Sequence, residues 1–257
     1  MGLWTWTHFC QIVPTFIGLL VITVILARAL GNKDESVRYI PLKIIAVTLV
    51  VLEIIKQINS AMSGAYDLYA LPFHYCSLFL YLFPLHAFYR GKHRHIIHAA
   101  TLGCLSSVTL AMIVIPSIIY TDTDILNFFN TFPEFHTVIF HNLVVLYFML
   151  TIALRLYEIN AKHDMKVMTV FLSAYVAVAT VLAYTLKVNF HNLYRCNVQF
   201  IEDIHVAVVE AIGVIGTILY VLILFVLTIL VSYLSLYLAR LLIKGVDKIT
   251  HKNGYVK

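Results

Sequence analysis

Long apolar runs alternate along this chain with short clusters of charge, and the runs have membrane-crossing length. A helix rising about 1.5 Å per residue needs roughly 20 mostly apolar residues to cross a hydrocarbon core of about 30 Å. Seven stretches meet that need: residues 12–30, 41–60, 72–89, 95–119, 134–157, 165–187 and 206–243. The third is the shortest and carries Pro72, His74, Cys76, Pro84 and His86. Pro72 suits a first helical turn, and Pro84 is expected to bend the helix. The last run is too long for one crossing and too short for two crossings with a turn, so a bend is expected at Gly213 and Gly216. The pattern predicts an all-α polytopic membrane helix bundle of seven transmembrane helices, folded as a single domain over residues 1–257.

Charge placement sets the expected orientation. Short loops on the cytoplasmic side collect Lys and Arg. Loop one holds Arg28, Lys33, Arg38 and Lys43, and loop three holds Arg90, Lys92 and Arg94. Loop five holds Arg155, Lys162 and Lys166, and the C-terminal segment holds Arg240, Lys244, Lys248, Lys252 and Lys257. Those fifteen of the eighteen basic residues place the odd loops and the C-terminus in the cytoplasm and the N-terminus outside. The acidic residues Asp67, Asp122, Asp124, Glu134, Glu202 and Asp203 fall on the other side. No Lys or Arg precedes the first apolar run, so that run reads as a retained span and not a cleaved signal.

Composition agrees with a chain whose solvent is lipid: 61% of residues are hydrophobic and 12% charged, and the mean hydropathy is +0.89. A soluble domain carries about 25% charged residues. The net charge of +5 is spent at bilayer edges, which leaves no basic, aromatic-interleaved surface for nucleic acid. Four cysteines show no metal-type spacing, although Cys10 and Cys196 would share the outer side, where a disulfide is chemically allowed. No cofactor is expected, and the expected partners are the lipids of the cell membrane.

Ionisable side chains are costly within a bilayer and normally face the bundle interior. Counting at about 1.5 Å per residue from the outer end of each run puts Glu53, Lys56, Cys76, His141 and Glu210 roughly 6 to 10 Å deep, in one layer. His74, His136, Asn142, Asn189, His191 and His205 lie nearer the mouth, the inner half offers nothing comparable, and His86 reads as structural. A regular helix would set His74 and Cys76 about 200° apart, so a base for Cys76 must come from another span. His141 matches it in depth, whereas His136 points to a different side. A cysteine and histidine so paired form a thiolate that attacks an acyl carbonyl and passes the acyl group on through a thioester. Lys56 would favour the thiolate or bind a lipid phosphate, and Glu53 would orient the imidazole. Each residue also has a plainer reading: Glu53 and Lys56 as an i,i+3 ion pair, Cys76 as a packed thiol and His141 as an interhelical hydrogen-bonding group.

The stretches Leu71-Pro72-Phe73-His74-Tyr75-Cys76-Ser77-Leu78, Tyr81-Leu82-Phe83-Pro84-Leu85 and Phe135-His136-Thr137-Val138-Ile139-Phe140-His141 resemble the bacterial YwaF-type integral membrane proteins. That family is similar in turn to the animal transmembrane protein 164 group, associated with cysteine-dependent acyl transfer onto ether phospholipids. The resemblance implies a lipid-facing site that uses a span-three residue and a span-five histidine, best matched by His141. The animal cysteine directly precedes the motif histidine, a position held here by Phe73, so the resemblance leaves Cys76 as either a relocated nucleophile or a bystander.

Three functions compete at this stage, beside a purely structural or assembly role. The first is a phospholipid acyltransferase or acyl hydrolase with Cys76 and His141 as the catalytic pair and Glu53, Lys56, His74, His136 and Glu210 in support. The second is a transporter or small-ligand-binding membrane protein with a charged intramembrane cavity, an option weakened by the absence of paired broken helices from the predicted pattern. The third, ranked below these, is a zinc-dependent hydrolase drawing on His74, His136, His141, His191 or His205, whose HxxxxH spacing departs from the usual one-face pair.

Overall fold

The computed structural model describes residues 5–64, 66–115 and 127–252. The predicted end of the fourth run, at 116–119, and the acidic pair Asp122 and Asp124 lie outside the described residues. Among the described residues all regular structure is helical: α1 Trp6–Leu30, α2 Glu35–Arg38, α3 Ile40–Met62, α4 Phe79–Phe88, α5 Arg94–Val114, α6 Phe132–Ala153, α7 Ala161–Leu186, α8 Gln199–Ile212 and α9 Val214–Lys252. Short 3-10 turns stand at Leu68–Ala70, Cys76–Leu78 and Phe190–Asn192. Five helices, α1, α5, α6, α7 and α9, are long and apolar enough to cross a membrane, and Cys76–Phe88 forms a shorter apolar helix.

α5 occupies the centre, against α4, α6, α7 and α9. Its sequence explains why. Ala99, Ala100, Gly103, Cys104, Ser106 and Ser107 are all buried small residues or line buried contacts, and small residues let membrane helices approach closely. Ser106 Oγ lies 3.1 Å from Ser235 Oγ and ties α5 to α9. α3 packs on α4 and α6, while α1 covers α6 from outside. Ile17, Leu20 and Ile25 of α1, with Leu222, Ile223 and Leu230 of α9, remain exposed, apolar helix surfaces suited to lipid.

Local signals start and stop the helices. Pro41 sits in the first turn of α3, where a missing N–H costs nothing. Gly64, at φ +84°, follows the end of α3 in the left-handed region that glycine enters without strain. α6 opens with Thr131 as N-cap, its hydroxyl accepting from the Glu134 N–H while donating to the Glu134 carboxylate at 2.9 Å. α7 opens with Asn160, whose side chain accepts from His163 N–H.

One run is organised differently from the pattern read in the sequence. Residues 72–75 are not helical; the chain enters as turns and becomes helical only at Cys76, so the helix phase that separated His74 from Cys76 does not apply. The last run does break at the expected place. Gly213 adopts φ +58°, α8 and α9 meet there as a hairpin, and the first turns of α9 fold against α8. A Cβ at Gly216 would stand 2.9 Å from the Val208 carbonyl oxygen and from Val209 Cα, both backbone. Gly216→Val is therefore expected to open the hairpin and to cost about 1 to 3 kcal/mol, read as a lowered thermal midpoint of the detergent-solubilised protein.

At the opposite end, Glu35 of α2 accepts from Arg94 of α5, and that hydrogen bond holds the Glu35 carboxyl below its ordinary range. A lowered folded-state pKa contributes stability above the ordinary carboxylate range that is lost as pH falls through the lowered value. The pair is largely exposed. Glu35→Gln is expected to cost under about 1 kcal/mol at neutral pH and nothing in strong acid, measured by thermal midpoints at the two pH values.

Candidate functional site

The end of the bundle where α3 and α7 finish and α6 begins, called the upper end below, carries most of the polar chemistry. Glu53 is buried on α3, about 14 Å below the end of that helix. Its carboxylate gathers three partners: Lys56 Nζ at 2.8 Å and Gln57 Nε2 at 2.6 Å on Oε1, and His136 Nε2 of α6 at 3.3 Å from Oε2. A buried carboxylate persists only when so partnered. The i,i+3 and i,i+4 spacing of Lys56 and Gln57 puts both on the Glu53 face, and the packing of α3 on α6 supplies the histidine. Of the two α6 histidines it is His136 that meets Glu53, five residues earlier than depth counting favoured.

Gln57 also ties this cluster to the segment that follows α3. Its Nε2 donates to the Ala70 carbonyl at 2.7 Å, and its Oε1 accepts from Tyr66 Oη. Asp67 caps the 3-10 turn Leu68–Ala70, accepting from Tyr69 N–H at 2.8 Å. His74 then turns back on this loop: its Nε2–H donates to the Tyr69 carbonyl at 2.9 Å, because a carbonyl can only accept. Cys76 opens the next 3-10 turn as a partly buried free thiol within electrostatic reach of Lys56 and Glu53.

His141 is buried on α6, and its Nδ1–H donates to the Thr137 carbonyl at 2.7 Å. That bond fixes the tautomer and makes Nε2 the basic nitrogen of the neutral ring. Among the described residues no hydrogen bond joins the Cys76 sulfur to His141. Glu210 lies apart from the cluster. It is exposed on α8, because the chain breaks at Gly213 and the residues before the break form a separate helix.

A second non-helical segment reaches the same level from the other side. After α7 ends, Lys187 adopts a left-handed conformation (φ 55°) and the chain runs back along α7. Phe190 packs against Val176, Ala179 and Ala183, and the His191 ring lies 5.5 Å from that of Tyr175, eleven residues or about 16 Å below the end of the helix. The two segments meet there. Phe73 and His74 contact Phe190 at 5.9 and 5.1 Å, the Tyr75 ring stacks on His191 at 5.0 Å, and Tyr175 Oη donates to the Phe73 carbonyl at 3.1 Å. Non-helical backbone at membrane depth is tolerated where protein or an aqueous cavity satisfies it. Here side-chain hydroxyls do so: Tyr175 for Phe73, Tyr184 for Leu193 at 3.1 Å and Tyr220 for Asn192 at 2.6 Å.

Beside this junction runs a cleft of about 290 Å³ between the lead-in to α4 and α7, lined by Pro72, Phe73, Leu78 and Tyr81 on one wall and by Phe171 and Tyr175 among others on the second. Its lining is almost entirely apolar, suited to hydrocarbon and unsuited to a charged solute. Phe73 faces this cleft.

The lower half of the bundle is not empty of polar groups. His86 and His98, 1% and 3% exposed, face each other at 4.2 Å between ring centroids. Tyr147 Oη lies 2.7 Å from His86 Nδ1, Tyr39 Oη 3.5 Å from His98 Nε2, and the Arg90 guanidinium covers the Tyr39 ring at 4.1 Å. Asp164, fully buried, accepts from Tyr157 Oη at 2.6 Å and from Asn160 N–H at 3.0 Å. His98 is buried because α5 begins at Arg94 and its second turn already faces the core. Among the described residues no three His, Cys, Asp or Glu side chains are placed to hold a metal ion, and all four cysteines, Cys10 and Cys196 included, are free thiols.

Comparison with curated proteins and with solved structures finds no significant match. The model of the TMEM164 family matches residues 3–237, from before α1 to beyond the middle of α9, and so takes in both non-helical segments and the Glu53 cluster. The multi-pass helical membrane architecture described above is what such a chain requires, and the protein belongs to the TMEM164 family.

Proposed function

We propose that this protein is a cell-membrane enzyme of seven spans, with its N-terminus outside and its C-terminus cytoplasmic, that transfers or hydrolyses a phospholipid acyl group using Cys76 as nucleophile and His141 as base. The observation that carries this reading is that Cys76 heads the 3-10 turn whose flanking residues Phe73 and Leu78 line an apolar cleft able to take an acyl chain, at the end of the bundle that also holds the Glu53, Lys56 and His136 cluster. The likeness of the Pro72 to Cys76 motif to bacterial YwaF-type proteins belongs to the same proposal.

In the first step the Cys76 thiol passes its proton to Nε2 of His141, and the thiolate attacks the acyl carbonyl carbon of a membrane phospholipid. The lipid alcohol leaves with the proton from the imidazolium, and the acyl group remains as a thioester. Water or a second lipid hydroxyl then attacks the thioester and releases the sulfur. Lys56, held by Glu53, places a cation near the thiolate and within reach of a lipid phosphate. The Thr137 carbonyl holds the His141 proton on Nδ1 and leaves Nε2 to take the Cys76 proton, and in this reading the pair closes when substrate enters, as catalytic hydrogen bonds commonly do. His74 and His136 hold the surrounding loop and carboxylate, and no cofactor is required.

The test is direct. Purified protein given a phospholipid with a labelled acyl chain is expected to take up label that hydroxylamine removes. Protein that takes up none contradicts the reading.

A second reading is favoured by one observation: paired non-helical segments meeting at membrane depth also build the substrate sites of transporters. In that case Glu53, Lys56, His74 and His141 line the path of a proton or small solute. Solute movement that depends on pH and on Glu53, with no acyl labelling, would select it.

A further inference from the structure

The tip of the descending segment carries two consecutive non-glycine residues in the left-handed region, His191 at φ 52° and Asn192 at φ 57°. Each costs of the order of 1 to 2 kcal/mol, so the surrounding contacts must over-determine the turn. They do: Asn192 is gripped by Tyr220 at its carbonyl and by Asn197 N–H at its side chain, and His191 is wedged between the Tyr75 and Tyr175 rings.

What the strain achieves is the presentation of one nitrogen. Thr228 on α9 donates its single hydroxyl proton to the Leu224 carbonyl at 2.8 Å, so at 3.0 Å from His191 Nε2 it can only accept. His191 therefore carries its proton on Nε2, and in the neutral ring Nδ1 is the base. The ring beneath it is fixed by the same logic. Ser107 gives its proton to the Cys104 carbonyl at 2.9 Å, so Tyr75 Oη donates to Ser107 at 2.7 Å and cannot act on His191. Tyr175 commits its proton to Phe73. A basic nitrogen is thus held against the residue that precedes Cys76, in a setting whose hydroxyl protons are all engaged, next to the cleft that Phe73 and Tyr175 line.

We propose that His191 is the base of the second half-reaction, taking the hydroxyl proton of a lipid alcohol whose hydrocarbon lies in the apolar cleft. This rests on the acyl-thioester reading above. The hydroxyl oxygen bonds to the thioester carbonyl carbon, its proton passes to Nδ1, the carbon–sulfur bond breaks, and the proton returns to the departing Cys76 sulfur. The acceptor is a lipid and not water because the cleft beside the ring is apolar. Two imidazoles then divide the work, His141 for loading and His191 for transfer.

The experiment separates the two halves. Wild type, His191→Gln and His191→Asn are loaded with a labelled-acyl phospholipid and then given a lysophospholipid. Gln keeps a donor for Thr228, and Asn tolerates the left-handed backbone. Both variants are expected to acquire hydroxylamine-sensitive label at the wild-type rate and to retain it, with transfer to the lysophospholipid falling by about 100-fold or more. Thr228→Val, which unlocks the tautomer, is expected to load normally while the pH profile of transfer changes. Transfer at the wild-type rate in both His191 variants, or folded variants that fail to load, would overturn the role of His191. Label leaving wild type for water alone would overturn the lipid acceptor. A wild type that never loads would instead remove the underlying reading.

Discussion

Cys76→Ala is expected to abolish acyl transfer, by on the order of 10⁴-fold or more, while leaving the folded protein intact. Two features of the site make the effect that large and that clean. The neighbouring hydroxyls, Ser77 in the same turn and Tyr81 and Tyr175 at the cleft, have much higher pKa values than a thiol and do not replace it at neutral pH. Its side chain is small, and it heads a 3-10 turn held by backbone bonds, Ser77 N–H to His74 and Leu78 N–H to Tyr75, that survive its loss. Truncation removes one sulfur from a partly buried site, which costs no more than about 1 kcal/mol. Activity and stability are thereby uncoupled, and an inactive variant with a wild-type thermal midpoint is the expected outcome. Cys76→Ser, which retains a hydroxyl of much higher pKa, is expected to be nearly as inactive.

Glu53→Ala should give the largest stability loss. The carboxylate is the common acceptor of Lys56, Gln57 and His136, and Gln57 in turn carries the loop through Ala70 and Tyr66. Its removal strands a cation in the bundle, a change worth about 3 to 5 kcal/mol for a buried pair. Lys56 remains 21% exposed at its side chain and can extend toward the upper end, so the lower figure applies, about 3 kcal/mol or roughly 6 to 10 °C in thermal midpoint for a chain of this size. The double variant Glu53→Leu with Lys56→Met is expected to recover most of that loss, since neither charge is then left alone. Recovery of stability without recovery of activity would place the pair in the chemistry as well as in the packing.

Much of the architecture was legible because lipid leaves few choices. Charge clusters at Arg28–Lys43, Arg90–Arg94 and Arg155–Lys166 bound the helices, and the conflict between one long apolar run and one bilayer thickness located the break at Gly213. The companionship of Glu53 and Lys56 followed from spacing. What escaped the sequence had local causes. Pro72 reads equally well as a first helical turn or as a residue of an extended lead-in, and only the pull of Gln57 and Tyr175 on the loop decides for the latter. Glu210 belonged to the polar layer only through a depth counted from residue 206, whereas the helix that carries it starts at Gln199 and ends at the break. His86 read as structural, but its pairing with His98, Tyr147 and Tyr39 was not legible because these partners come from distant stretches of the chain. The descent of residues 187–193 gave no signal, since its left-handed positions are Lys, His and Asn and not glycine.

The account stands or falls on whether the Cys76 sulfur becomes acylated. Wild-type protein incubated with phospholipid, quenched in acid and digested, should yield the peptide spanning Cys76 heavier by one acyl group, with the other three cysteines unmodified. An unmodified Cys76 under conditions in which the same preparation turns over lipid would contradict it.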